Sequence, residues 1–407
     1  MTASTRPVPP KPIPTAPGTN VRPKRIAAID WMRGFVMILM VVDHVSMAYH
    51  SEHISPDSIA MYSPGFALTD FAFFTRWISH LCAPTFVFLA GTALAISVER
   101  KVEKGVPARE IDKDILYRGA FIALLDPTLI SFFSQKWTFQ VLYAIGMSFI
   151  CMAALRRLST GWLLTLALAW VIGGELITLQ FWNGEGDGSI PAALLLSTYS
   201  SPELSIKYPL LPWLSMMMLG WVFGRYVLDY REGRAKMGPF MVLLISGIVC
   251  LAIYAVGRYF AYIDLSFTLF GTEYNGYGNM LMPFYQTTNP WVQWLHVSKY
   301  PPSLTYITLE LGLMFLLLSA FLVIERRVGV RKNGVLLVFG QTAMFFYLVH
   351  RFFLEGTASF LGLRGFFDNI WWVYAISAVL LVILYYLCLW YRDYKKQHPD
   401  ALWAKYI

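Results

Sequence analysis

The run IDWMRGFVMILMVVDH places a carboxylate, a guanidinium and an imidazole inside one apolar stretch. At about 100° per residue, Asp30, Arg33 and His44 fall within about 60° of one another, on one stripe of a helix. Arg33 and His44 are eleven positions apart, roughly 16 Å along the axis at 1.5 Å per residue. Asp43 points elsewhere, because adjacent residues do not share a helix face. An imidazole can take and return a proton near neutral pH, and a guanidinium offers fixed positive charge that an acid can orient. At membrane depth such groups are expensive unless they face a polar interior, so each is a functional candidate. Arg76 and His80 lie one turn apart in a second apolar run, and His350 with Arg351 ends a third. His44, His80 and His350 are expected in the outer half of their helices, with Arg76, His80, His350 and Lys299 lining a substrate side.

The elements that must position them are membrane helices. The chain has 407 residues, 57% hydrophobic and 14% charged, with a mean hydropathy of +0.51. Soluble domains carry about 25% charged residues, so a disordered chain or an ordinary soluble enzyme is excluded. Crossing a bilayer takes about 20 apolar residues, and about ten such stretches occur. They run roughly over 26–48, 71–98, 115–134, 138–156, 161–182, 208–229, 239–262, 303–325, 335–355 and 371–392. The expected fold is therefore an all-α polytopic membrane protein, a single bundle spanning 26–393. No internal repeat is visible, which disfavours transporter folds made of duplicated halves.

Net charge is +8. In a membrane protein this reports topology rather than nucleic-acid binding, which is not expected here. With ten spans, most of the 33 Lys and Arg residues fall on the side that holds both termini, which predicts cytoplasmic termini. Residues 1–25 hold seven prolines, five basic residues and no acid, and read as a disordered cytoplasmic tail without the apolar core of a signal peptide. Residues 394–407 form a second cytoplasmic tail. The segment 263–302 is long and rich in Tyr, Trp, Pro and Gly, and is expected to form an external cap or re-entrant piece.

Other residues have plainer readings. Asp126 precedes Pro127 and suits the cap of a Pro-broken helix. Glu175 and Glu310 suit structural pairing, and Arg118 and Arg225 suit topological anchoring. His50, Glu52 and His53 suit a solvated loop, so no metal is expected. Cys82, Cys151, Cys250 and Cys388 lie in apolar runs without a CxxC pair and suit helix packing. The chain has no P-loop, dinucleotide fingerprint, HExxH or GxSxG.

RIAAIDWMRGFVMILMVVDHV resembles the opening helix of the transmembrane acyltransferases, which carry a basic residue, ten residues and then His. ISHLCAPTFVFLAGTALA, YPLLPWLSMMMLGWVFGR, SKYPPSLTYITLELG and FGQTAMFFYLVH narrow the resemblance to bacterial relatives of heparan-alpha-glucosaminide N-acetyltransferase. It covers about residues 25–352. It implies a ten-helix protein of the bacterial inner membrane that moves an acyl group, by analogy acetyl, from cytoplasmic acyl-CoA to a glycan or small-molecule acceptor outside. Acetyl-CoA would be a co-substrate with no metal; a homodimer stays open. His44 becomes the general base, Arg33 its basic partner oriented by Asp30, and Arg118 a CoA contact. The lysosomal enzyme differs by placing Asn at the position of His44 and its histidine about eleven residues on, near Ser55 here, which leaves His50 and His53 as rival bases. A proton-coupled transporter of a sugar or small organic acid, using the same buried groups as a relay, is the alternative.

Overall fold

The computed structural model describes residues 26–51, 69–134, 136–182, 188–262, 267–269, 272–274, 290–398 and 401. The tail 1–25, His53, much of 263–302 and nearly all of 399–407 lie outside them. The helices in chain order are α1 (Ala27–Tyr49), α2 (Asp70–Ser79), α3 (Cys82–Glu103), α4 (Ala108–Leu125) and α5 (Ser131–Ser134). Next come α6 (Val141–Leu155), α7 (Thr160–Leu179), α8 (Ile190–Leu195), α9 (Leu210–Arg231) and α10 (Pro239–Tyr262). The last five are α11 (Pro290–Leu295), α12 (Leu304–Val328), α13 (Val335–Gln341), α14 (Ala343–Phe360) and α15 (Ile370–Gln397).

Every stretch expected to span is helical, and seven helices are long and apolar enough to cross a membrane. These are α1, α2 joined with α3, α4 continued into α5, α7, α10, α12 and α15. The remaining three expected spans are less regular. α6 has only 15 residues, α9 mixes its apolar residues with Pro212, Trp213, Gly220 and Arg225, and the 335–355 stretch is two helices bent by 90° at Thr342. Outward faces carry apolar side chains such as Ile172 on α7, Ile248 on α10 and Val379 on α15. A surface this apolar is stable only against lipid, so the chain is a multi-pass membrane protein.

α1 runs through the middle of the bundle, packed on α13, α14, α12, α15 and α3. Its closest neighbour is α13. A Cβ on Gly340 would stand 1.8 Å from the Asp30 carbonyl oxygen, and one on Gly34 would stand 2.0 Å from that of Leu336. Without hydrophobic drive between helices in lipid, such small-residue contacts let backbones approach and pack. This approach sets the Gln341–Thr342 break beside the polar stripe of α1.

The start of α1 lacks a side-chain cap of its own; Glu325 at the end of α12 accepts hydrogen bonds from the amides of Ala27 and Ala28, at 3.0 and 2.9 Å. Arg392, near the end of α15, donates to the Lys332 carbonyl in the loop that follows α12. Ala27 and the end of α15 are therefore at the same end of the bundle.

Two small sheets join helix ends. β1 (Trp137–Phe139) pairs parallel with β3 (Leu204–Ile206), which pairs antiparallel with β2 (Tyr199–Ser200). In the long connection after α10, β4 (Phe267–Leu269) pairs antiparallel with β5 (Thr272–Tyr274). α11 in that connection is tied down by Trp77, whose indole donates to the Leu295 carbonyl, and by Tyr254 and Arg258, which donate to that of Trp294.

Asp126 does act as a cap, but for a different helix from the one its sequence suggests. It opens a π-helical turn (Asp126–Ile130) after α4, and its Oδ2 accepts from the amides of Gln140 and Tyr143, 2.8 Å each, at the start of α6. Orphaning these donors carries the penalty of unsatisfied amides. Asp126→Ala should lower the stability of the detergent-solubilised protein by about 2 kcal/mol, with Asp126→Asn retaining most of it. Thermal unfolding of both variants reads this directly; an unchanged melting point with lost turnover would make Asp126 a reacting group instead.

Candidate active site

The stripe foreseen on α1 is present and faces inward. Arg33 Nη1 lies 3.4 Å from Asp30 Oδ1, and Nη2 donates at 2.9 Å to the Leu89 carbonyl of α3. Asp30 is buried. The carboxylate and a backbone oxygen thus fix the plane of the guanidinium between α1 and α3.

Two cavities follow this stripe. The first, about 210 Å³, is lined by Ile26 just before α1, by Ile29, Asp30 and Arg33 of α1, by Ala93, Ile96, Ser97 and Arg100 of α3, and by Arg231 of α9. The second, about 270 Å³, begins at Arg33 and Ala93 and continues past Met37, Phe86 and Ala90. Its other walls come from α4, α6, α15 and the α13–α14 break, including Arg118, Gln341, Tyr347 and Lys395. Arg118 is exposed, with its guanidinium 5.5 Å above the Phe149 ring.

Beyond Tyr347 lies the pair that sequence spacing alone could not show. His44 Nδ1 is 2.7 Å from His350 Nε2, the ring planes within 4° of parallel. His350 Nδ1 is 2.9 Å from the Phe346 carbonyl oxygen, one turn earlier on α14. A carbonyl only accepts, so Nδ1 of His350 carries the hydrogen. In the neutral pair, His350 Nε2 then accepts from His44 Nδ1–H, and the lone pair of His44 rests on Nε2. His350 is fully buried and His44 half-buried, and Nε2 of His44 has no hydrogen-bond partner among the described residues. The relay leaves the lone pair of one imidazole nitrogen open.

Tyr347 joins cavity to dyad. Its ring meets His44 edge-on at 6.3 Å and His350 at 5.5 Å, while its side chain lines the second cavity. Sequence reasoning missed it; the available signal was its position one turn before His350 in FFYLVH.

The other foreseen residues are placed differently. Arg76 forms an ion pair with Asp43, which also accepts from Ser79 at 3.1 Å, so Asp43 does turn away from His44 and ties α1 to α2. His80 is buried edge-on to Tyr306, and its carbonyl accepts from the Tyr306 hydroxyl. Lys299 is buried with Nζ 5.2 Å from the Tyr300 ring centre. Asp43, Arg76, Lys299 and Glu310 all lie within electrostatic reach of Cys82, forming a charged group apart from the two cavities, neither of which these residues or His80 line. His50 is bound through its backbone to Ser46 and bridged to Phe367, away from both cavities. Among the described residues there is no group of three or more His, Cys, Asp or Glu that could hold a metal.

Chemically, this is a narrow path that carries guanidinium groups along its length and ends near an imidazole with an open lone pair. The family model described as "Heparan-alpha-glucosaminide N-acetyltransferase, catalytic" matches residues 25–258 of this chain. That range holds α1, α3, α4, α6 and α9, hence Asp30, Arg33, His44 and Arg118, but not Tyr347 or His350. The search of curated proteins finds no match.

Proposed function

Because the chain belongs to the heparan-alpha-glucosaminide N-acetyltransferase catalytic family, we propose that it moves an acetyl group from cytoplasmic acetyl-CoA to an amine or hydroxyl of a glycan-like acceptor at the far face of the membrane, with His44 as general base. The observation that carries the reading is the open Nε2 of His44, set by the His350 relay at the end of an arginine-lined path. The proposed topology has ten passes and cytoplasmic termini in a bacterial inner membrane, which puts the Arg33 end of the path at the CoA side.

Acyl transfer from a thioester needs a proton acceptor for the nucleophile and a positive or donor group near the carbonyl oxygen, where charge develops. His44 Nε2 takes the proton from the acceptor as the nitrogen or oxygen forms its bond to the carbonyl carbon. The C–S bond then breaks, and the imidazolium returns the proton to the departing thiolate. Arg33, held by Asp30 and the Leu89 carbonyl, steers the donor arm at mid-depth. Arg118 and Lys395 add positive charge along the same cavity, and Gln341 offers an amide suited to the amides of a pantetheine arm. Tyr347, at the inner end, presents a hydroxyl with no partner among the described residues beside the place where the thioester must meet His44. Arg76, His80 and Lys299 keep the proposed acceptor-side role through their position at the α2–α3 junction and just before α12, and His350 moves from that group to the base.

The test is purified protein in detergent with acetyl-CoA and a panel of amino sugars and polyols, reading free CoA and acetylated product by mass spectrometry. Acceptor-dependent CoA release supports the enzyme. Uptake of a sugar or acid into proteoliposomes without acyl-CoA, together with no CoA release, would favour the transporter.

A further inference from the structure

The two cavities are successive stages of one groove. On α1 the lining positions are 26, 29, 30 and 33 in the first and 33 and 37 in the second; on α3 they are 100, 97, 96 and 93, then 94, 93, 90 and 86. Both series follow a single helical stripe, and because α3 runs opposite to α1 the rows face each other level by level. Arg33 and Ala93 belong to both cavities. From Ile26 to Met37 the lining covers eleven residues of chain, roughly 16 Å along α1.

The first stage has a charge pattern that goes beyond the Asp30–Arg33 pair used in acyl transfer. Three guanidinium groups, Arg33, Arg100 and Arg231, line it against one carboxylate, Asp30, which is already turned to Arg33. The neighbouring acids are engaged elsewhere: Glu99 pairs with Arg225, and Glu325 has both carboxylate oxygens on the amides of Ala27 and Ala28, although it stays within electrostatic reach of Arg231. Arg100 makes no hydrogen bond or ion pair among the described residues, and the Arg231 and Arg100 charges lie close enough to repel. Like charges gathered around a cavity with a serine hydroxyl beside them suit a multiply charged anion, above all a phosphomonoester, which guanidinium groups grip in pairs.

We infer that this first cavity, between the start of α1 and the ends of α3 and α9, is a phosphomonoester seat that reads the 3′-phosphate of the CoA donor, through Arg100 and Arg231 with Ser97 as a further donor. The inference rests on the acyl-CoA reading above and deepens it. The arm of the donor continues past Arg33 into the second cavity, while the nucleotide's terminal phosphate stays in the first. An anionic phospholipid headgroup has the same phosphate chemistry at the same membrane face, so the test must separate the two.

Equilibrium binding of CoA and of 3′-dephospho-CoA is measured by titration calorimetry on the full chain in neutral detergent. Wild type should bind CoA about tenfold more tightly than 3′-dephospho-CoA, the loss expected for one charge-assisted phosphate contact. Arg100→Ala and Arg231→Ala should each erase most of that preference while leaving 3′-dephospho-CoA affinity within about twofold. Arg100→Lys should keep part of it, because the charge stays and the paired donors do not. Equal affinities in wild type, or a preference that survives Arg100→Ala and disappears with Lys395→Ala, would overturn the assignment and move the phosphate to the second cavity. Competition with CoA by added phosphatidylglycerol that Arg100→Ala abolishes, without a 3′-phosphate preference in wild type, would assign the seat to a lipid and overturn it too. If neither nucleotide binds wild type, the acyl-CoA reading itself fails.

Discussion

His44→Ala is expected to lower kcat by about 10²–10⁴-fold while the KM for acetyl-CoA changes little. The base acts only once both substrates are bound, so its removal takes away stabilisation of the transition state and leaves donor binding intact. The donor groove supports that separation: Arg33, Arg118 and Gln341 line it, and His44 stands beyond Tyr347. Wild-type kcat/KM should fall with unit slope toward acid, as one proton on Nε2 blocks the reaction, and the variant should lose this limb. His44→Gln is the control for packing. It fills a similar volume and keeps a donor for His350 Nε2, yet cannot accept and return a proton, so it should fold like wild type and turn over as slowly as alanine. A His44→Gln protein with near wild-type kcat would sink the base assignment and direct attention to His50 and His53.

Much of the stripe on α1 was legible because a helix converts spacing into direction without help from the rest of the fold. Asp30, Arg33 and His44 needed only the 3.6-residue period, and the structure indeed places Arg33 against Asp30 and both on the groove. The same period sent Asp43 to another face, where it meets Arg76. What spacing could not deliver were contacts across the bundle. His44 and His350 are 306 positions apart, and their meeting depends on how α14 crosses α1 after the 90° break at Thr342. No proline marks that break: 335–355 is mostly apolar, with only the short Gly340-Gln341-Thr342 interruption at the bend, and the close approach of Gly340 to the Asp30 carbonyl shows its cause only in three dimensions. His80, grouped with the other histidines by depth, is turned toward Tyr306 instead, because a shared depth does not fix a shared direction between different helices. Glu325 illustrates the same limit. At the end of a helix among arginines it reads as a surface charge, whereas it holds the first two amides of α1.

The double histidine arrangement carries the second large expectation. His350→Phe keeps the ring volume in a fully buried position but removes the acceptor for His44 Nδ1–H. The imidazole of His44 is then free to rotate and to exchange tautomers, so that the lone pair faces the acceptor only part of the time. A fall in kcat of about 10–10²-fold is expected, smaller than for His44→Ala because the base itself remains. A purely structural role for His350 would produce a similar loss in either background. A positioning role gives non-additivity: in His44→Ala the relay has nothing left to orient, so adding His350→Phe should cost less than about twofold more. The nitrogen-15 chemical shifts of the His44 ring supply a readout independent of turnover. In wild type they should show the hydrogen held on Nδ1, and in His350→Phe a mixture of both tautomers. Wild-type spectra with the hydrogen on Nε2, or full additivity of the two substitutions, would dissolve the relay and leave His44 without its orienting partner.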